Sequence, residues 1–288
     1  MNRKWKKTFL CRIAAAACIL AMLSGTPVCN MTSVQAGTSR LEKQALKIHE
    51  KVSQELERWT NEVEKSSTFF DVLRAGKESC FCLLDAKGSV KWSVSDKSVL
   101  KIVKKSGNQC VVRALKEGKA VVKASAKNKA ATYKVTVKTG EAFVKAWCRQ
   151  WVKTYIRDGM DDKTKLICAS IYITSYGLFS YGEAYNLEDV ISELQGTCLS
   201  GSMLLAALYK EMGYEAETRF AAKDDMSRYP ANILFGSDHY NVKVKVKNKT
   251  YYIEGTPGCG FTYLSTSKKN IYYRSANLFY SLPVDISK

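Results

Sequence analysis

Histidine is scarce in this 288-residue chain, which carries only His49 and His239. That argues against histidine-built metal centres, and cysteine spacings without nearby histidines make weak zinc sites. No phosphate-cradling glycine loop, metal motif or cofactor signature appears, so neither a cofactor nor a metal is expected. Acids are few as well: 27 Asp and Glu stand against 45 Lys and Arg, a formal charge of +18. No zinc finger or arginine-rich reading element accompanies that excess, so nucleic acid is not an expected partner. A long unbroken apolar run is missing too. The uncharged stretch 166–182 is interrupted by Ser170, Thr174, Ser175, Gly177 and Ser180. Such a stretch reads as a buried helix running into a loop, so no transmembrane helix is expected once the amino-terminal leader is removed.

That leader is what the amino terminus does contain. Residues 1–12 carry Arg3, Lys4, Lys6, Lys7 and Arg12 and no acid, and an apolar run over 13–23 follows. Small and polar residues then lead to Val34-Gln35-Ala36. This is the pattern of a secretory signal peptide, residues 1–36, with Gly37 as the first mature residue. The apolar run is about half as long as a membrane span requires. Thr26-Pro27-Val28 before Cys29 makes a poor lipidation site. Removing the leader lowers Lys and Arg from 45 to 40 and leaves all 27 acids, so the mature net charge is +13. Such a surface attracts polyanions, and anionic cell-envelope polymers are the expected partner of a secreted or cell-surface protein. A merely solvated surface is the plain alternative.

Seven cysteines stay with the mature chain: Cys80, Cys82, Cys110, Cys148, Cys168, Cys198 and Cys259. An odd number leaves at least one thiol outside any disulfide. Cys80 and Cys82 share one face of any strand, and either is a candidate partner for Cys110. About 250 residues suffice for two cored domains.

Organisation follows from the periodicities. In the segment 37–70, Leu41, Ala45, Ile48, Val52, Leu56, Trp59 and Val63 form one stripe of an amphipathic spacer helix, with His49 an ordinary surface residue. From 78 to 138 the pattern turns to short strands and turns, with Trp92, Val94, Val99 and Ile102 in strand segments and Tyr133, Val135 and Val137 facing inward. The stretches KWSVSDKSVLKI and ALKEGKAVVKASAKNKAATYKVTVK resemble a bacterial immunoglobulin-like domain of group 2. The resemblance implies an all-β sandwich over 71–139, a spacer or adhesive unit without catalysis. After it, helices are expected over 141–157, from Lys163, and over 198–212, the last ending at Gly213. Strands are expected over 215–221, 240–246 and 250–253.

The chemistry concentrates in that last part. In Gly196-Thr197-Cys198 the threonine can cap a helix and place Cys198 in its first turn. Backbone N–H groups and the helix dipole there stabilise a thiolate, the reactive form of cysteine. A small buried cysteine is the plain alternative. A thiol nucleophile needs a base, and His239 opens the strand His239-Tyr240-Asn241-Val242-Lys243-Val244-Lys245-Val246, whose valines and lysines alternate. Asp238, its neighbour, points to the other face. Glu254 shares a face with His239 if the turn is Asn248-Lys249, yet stands two cross-strand pairs away, roughly 13 Å along the sheet. The backbone N–H of Cys198 is the first oxyanion donor, and Gln195 in the entry loop is a candidate side-chain donor.

The segments ICASIYITSYGLFSYG, GTCLSGSMLLAALYKEMGYEAETRF and DHYNVKVKVKNKTYYIEGTPG together resemble the transglutaminase-like superfamily. The resemblance implies an α+β, papain-like core over 140–288 with Cys198 as nucleophile, His239 as base and Glu254, in place of the usual aspartate, as acid. Thr256 matches the threonine that commonly follows the acid. The implied reaction is thiol-mediated acyl transfer on an amide, by a cysteine peptidase or amidase if water is the acceptor and by a transglutaminase if an amine is. Hydrolysis of a protein or peptidoglycan peptide is favoured, because nothing specifies an amine site, and calcium is not implied. The alternative is a non-catalytic adhesion or binding protein with a degenerate domain of this kind. Cleavage after Ala36 is directly checkable: amino-terminal sequencing of secreted material should begin at Gly37, and a start well before Ser33 would overturn the assignment.

Overall fold

The computed structural model describes residues 68–174, 179–221, 239–259, 263–266 and 284–285. The leader, the helix expected over 39–65 and Asp238 lie outside the described residues.

The first unit is a two-sheet sandwich. Strands β1 (Thr68–Arg74), β7 (Ala130–Lys138), β6 (Gly118–Ser125) and β3 (Lys91–Val94) form one sheet in that order. Strands β2 (Glu78–Cys82), β5 (Gln109–Ala114) and β4 (Leu100–Ser106) form the other. The alternation in β7 buries Ala131, Tyr133, Val135 and Val137, so the period-two pattern reads directly into the core. Tyr133 anchors that core: Phe69 stacks on it, Phe81 meets it edge-on, and its hydroxyl donates to the Cys82 carbonyl.

The sandwich begins earlier than the sequence suggested. β1 runs parallel to β7 from Thr68↔Thr132 to Arg74↔Lys138, so the all-β unit takes in residues assigned to the spacer. Its side chains serve two cores by ordinary strand alternation. Leu73 packs into the sandwich, while Val72 packs with Phe143 and Trp151 in the helical layer. No disulfide joins the described cysteines. Phe81, not Cys80 or Cys82, stands opposite Cys110, which puts Cys110 on the other face of the sheet and rules out the pairing the spacing allowed.

The second unit is mixed α and β. Helices α1 (Gly140–Tyr155), α2 (Asp162–Thr174), α3 (Leu187–Glu193) and α4 (Cys198–Glu211) accompany a sheet ordered β10 (Glu215–Ala221), β11 (His239–Val246), β12 (Lys249–Ile253), β13 (Tyr263–Ser265) and β14 (Val284–Asp285). A two-strand ladder of β8 (Ser180–Tyr181) and β9 (Gln195–Gly196) leads into α4. The uncharged stretch is uncharged because α2 is interior: Leu166, Ile167, Ala169, Ser170 and Ile173 are fully enclosed. No helix among the described residues is long and apolar enough to cross a membrane.

Two sets of contacts fix the layers. Trp151, Tyr155, Tyr172 and Phe179 form a continuous aromatic cluster joining α1, α2 and the approach to β8. Arg74 at the end of β1 pairs with Glu188 and Asp189 in the first turn of α3, tying the sandwich to the second unit. Because β1 supplies Leu73 and covers one side of β7, a fragment of residues 68–138 should unfold cooperatively, whereas 78–138 should unfold at a clearly lower denaturant midpoint. Equal midpoints would show that β1 is dispensable.

Candidate active site

The start of α4 is locally determined. Leu194 adopts a left-handed conformation (φ 54°) that ends α3, and Gln195–Gly196 then run as β9 into the cap Thr197. The Thr197 hydroxyl accepts from the Ser200 N–H at 3.2 Å, and the Ser200 hydroxyl accepts from the Thr197 N–H at 2.9 Å. These reciprocal bonds make a capping box and leave Cys198, half-buried, at the first helical position. Ser200 also donates to the Ala184 carbonyl at 2.6 Å, which pins the helix start to the preceding loop.

His239 and Glu254 meet Cys198 from the sheet. His239 Nε2 lies 2.9 Å from Glu254 Oε2, and both side chains are sealed from solvent. The other ring nitrogen is left for the hydrogen bond that His239 makes with Cys198. Glu254 Oε1 accepts from the Gly255 N–H at 2.9 Å and the Thr256 N–H at 2.7 Å, so both carboxylate oxygens are engaged. The Thr256 hydroxyl is buried without a hydrogen-bond partner among the described residues.

The separation of two cross-strand pairs expected between His239 and Glu254 is not observed, and the turn is the reason. Val246 pairs with Lys249, so the two-residue loop is Lys247-Asn248, with Lys247 at φ 54°. Moving the loop back by one residue moves the register by two, which preserves the face and halves the gap. The ladder ends at Val242↔Ile253, so Glu254 follows opposite Asn241, with His239 on the diagonal. Diagonal neighbours at about 7–8 Å are within reach of long side chains.

Close backbone packing completes the arrangement. A Cβ on Gly201 would stand 2.3 Å from the Gly255 carbonyl oxygen, and one on Gly255 would stand 2.9 Å from Ser202 Cα. The helix bearing Cys198 and the loop following Glu254 therefore touch backbone to backbone. From α2, the Ser170 hydroxyl donates to the Glu254 carbonyl at 2.6 Å, and from α4 the Ser202 hydroxyl donates to the Tyr240 carbonyl at 3.2 Å.

The electrostatics of the three groups are mutually consistent. Burial alone would raise the Cys198 thiol, but the hydrogen bond and charge of His239 and the Tyr240 N–H outweigh it and hold the thiol below its ordinary value. Burial likewise opposes the imidazolium. The Glu254 carboxylate and the Cys198 sulfur overcome that and raise His239 to about 9. His239 is therefore held as an imidazolium at neutral pH, and its charge draws the Cys198 thiol toward the thiolate.

Of the residues proposed from sequence, Cys198, His239 and Glu254 come together. Gln195 lies on β9, and its amide donates to Glu193 Oε2 at 2.9 Å, so one of its two N–H groups is committed elsewhere. Tyr240, whose N–H faces the sulfur, and Ser170 and Ser202, which hold the backbone, were not singled out from sequence. Tyr240 acts through its main chain, and the two serine hydroxyls act on carbonyls that only the tertiary fold brings to them.

No family model matches the chain, and no curated protein matches it. Among solved structures, domains 4 and 5 of the S-layer protein SbsC align at 12% identity and a TM-score of 0.20 over 25% of this chain and 48% of that chain. The chain thus spans about half the length of that structure. Domains 5–6 of the same S-layer protein align at 10% identity and a TM-score of 0.22, covering 67% of this chain and 62% of that one. The M1 domain from titin aligns at 8% identity and 0.19 over 26% of this chain and 92% of that one. Likenesses this slight carry no argument about fold or activity.

The charge state gives a signed prediction. A lowered thiol pKa populates thiolate at lower pH, so alkylation of Cys198 by iodoacetamide should rise along an arm below the ~8.5 of an ordinary cysteine. Cys110, Cys148 and Cys168, pushed up by burial to about 11, 12 and 12, should lag far behind. In His239→Ala the Cys198 arm should move to higher pH, since only the Tyr240 N–H then opposes burial. Peptide mass spectrometry across pH 5–10 measures both arms, and an unmoved Cys198 arm in the variant would break the pairing.

Proposed function

We propose that the chain is an exported thiol-dependent acyl-transfer enzyme acting on amide bonds, with a transglutaminase-like, papain-like core behind an immunoglobulin-like sandwich. The observation that carries this reading is the buried Glu254–His239 contact at 2.9 Å with His239 hydrogen-bonded to Cys198 at a capped helix start. Nucleophile, base and orienting acid in one hydrogen-bonded line are the parts that covalent catalysis by a thiol requires.

The steps follow from the charge states. The Cys198 thiolate attacks the amide carbonyl carbon, forming a C–S bond and moving the carbonyl electron pair onto oxygen. As the C–N bond breaks, the imidazolium of His239 protonates the departing amine. Neutral His239 then takes a proton from water, which attacks the thioester and releases the acid and the thiolate. Glu254 keeps the ring oriented and stabilises its charge through both half-reactions. Water is the acceptor favoured here, so peptidase or amidase action on protein or peptidoglycan peptides is proposed over amine transfer. The leader and the mature charge of +13 support a secreted or surface-held protein attracted to anionic envelope polymers.

Release of new amines from a panel of peptides and peptidoglycan fragments tests the reading. Cys198→Ala should abolish release, and His239→Ala should reduce it by about 10²–10⁴-fold, the usual worth of a positioned acid–base group. Glu254→Gln should cost less than His239→Ala, because it disturbs the orienter and leaves the base. Undiminished release by Cys198→Ala would overturn Cys198 as the nucleophile, and no release by the intact chain would favour a binding module.

A further inference from the structure

An acyl-transfer site of this kind needs a second oxyanion donor beside the Cys198 N–H, which at the first helical position has no intrahelical acceptor. Gln195 already spends an amide N–H on Glu193. The loop before the helix offers another group. Tyr181 on β8 pairs in parallel with Gly196, two residues before the nucleophile. Adjacent strands lie about 4.8 Å apart, so the tyrosine backbone stands alongside the entry to Cys198.

Its position is held from both sides of the site. The Ser180 N–H donates to the Leu194 carbonyl at 3.0 Å and the Gly182 N–H to the Gly196 carbonyl at 3.1 Å, locking β8 to the approach to the nucleophile. On the other side, Gly258, four residues after the acid, lies so close that a Cβ there would meet the Phe179 carbonyl oxygen at 2.5 Å and Ser180 Cα at 3.0 Å. Phe179 itself is fastened to Tyr172 in the aromatic cluster. Against this rigid mounting the tyrosine ring is 57% exposed, and no hydrogen bond engages its hydroxyl among the described residues.

We propose that Tyr181 is a catalytic residue whose phenol O–H donates a hydrogen bond, together with the Cys198 N–H, to the oxyanion formed when Cys198 attacks an acyl group. The assignment rests on Cys198 being the nucleophile. A donor must keep its proton, and burial, the nearby Cys198 sulfur and Tyr185 all raise the Tyr181 phenol above its ordinary value. In the step itself, the thiolate forms the C–S bond, the carbonyl pair moves to oxygen, and the O–H and N–H dipoles stabilise it there. Collapse restores the C=O bond and expels the leaving group with its electron pair.

Two probes separate this role from a structural one. Acylation of Cys198 by p-nitrophenyl acetate passes through an oxyanion and expels p-nitrophenolate. Alkylation by iodoacetamide is direct displacement at carbon and has no oxyanion. Tyr181→Phe, which keeps the ring, should slow the p-nitrophenolate burst by about 10²-fold, the scale of losing one oxyanion donor, while leaving iodoacetamide labelling unchanged. An unchanged burst in Tyr181→Phe, with the burst abolished in Cys198→Ala, overturns the Tyr181 assignment and leaves the nucleophile standing. A burst that survives Cys198→Ala overturns both. Equal slowing of burst and alkylation also overturns it, since the hydroxyl would then be acting on the thiol or the fold.

Discussion

Two ionisable side chains, Glu254 and His239, are sealed from water and 2.9 Å apart, and the architecture around Cys198 is arranged to make that possible. Removing a carboxylate and an imidazolium from water costs several kcal/mol for each ion, and their attraction offsets this only when the remaining lone pairs and protons are also satisfied. Here they are. One carboxylate oxygen accepts from His239, the other from two consecutive backbone N–H groups, and the far side of the ring bonds to Cys198. Loss of any one partner would leave a charge stranded in the interior. The pair therefore constrains its surroundings more strongly than a surface ion pair of equal length would.

That constraint explains features that would otherwise look unrelated. The chain leaves β12 at Ile253 and must bend so that the Gly255 and Thr256 N–H groups point back at Glu254. The bend is held by Ser170 from α2 and by the contact of Gly255 with Gly201 and Ser202 in α4. A side chain at either glycine would push the helix bearing Cys198 away from the loop after Glu254, so both positions bear on the Cys198–His239 distance. Farther out, β1 extends the same stiffness. Its Val72 joins the helical core while its Leu73 joins the sandwich, and Arg74 clamps α3, the helix leading into β9 and Cys198.

Much of this was legible in the sequence. The cap at Thr197, the apolar helix ending before Gly213 and the valine–lysine alternation of β11 are local signals, and each appears where its pattern put it. What was not legible depended on tertiary choices. β1 follows an amphipathic stretch and gains its place by pairing with a strand some sixty residues later. α3 and the two-residue strands β8 and β9 are too brief for periodicity to register, although Asn186 capping Asp189 is a detectable start signal. The hairpin is the most instructive case. A two-residue loop that is left-handed at its first position favours glycine there, and this one uses Lys247. Placing the turn at Asn248-Lys249 set it one residue too far along, and that displacement became a spurious gap of two cross-strand pairs.

The true register also gives a physical reason for glutamate at position 254. Glu254 follows opposite Asn241, so its carboxylate must cross a diagonal to reach His239 while its second oxygen turns back to the N–H groups of the next two residues. A side chain with one more methylene than aspartate separates those two tasks: the extra bond carries the carboxylate toward the ring, and rotation about the terminal torsion aims the second oxygen homeward. The added torsional freedom would be a liability in an open loop, where the carboxylate would not stay beside the His239 ring. In this protein three hydrogen bonds and complete burial remove that freedom, so the longer side chain can hold His239 as firmly as a shorter one.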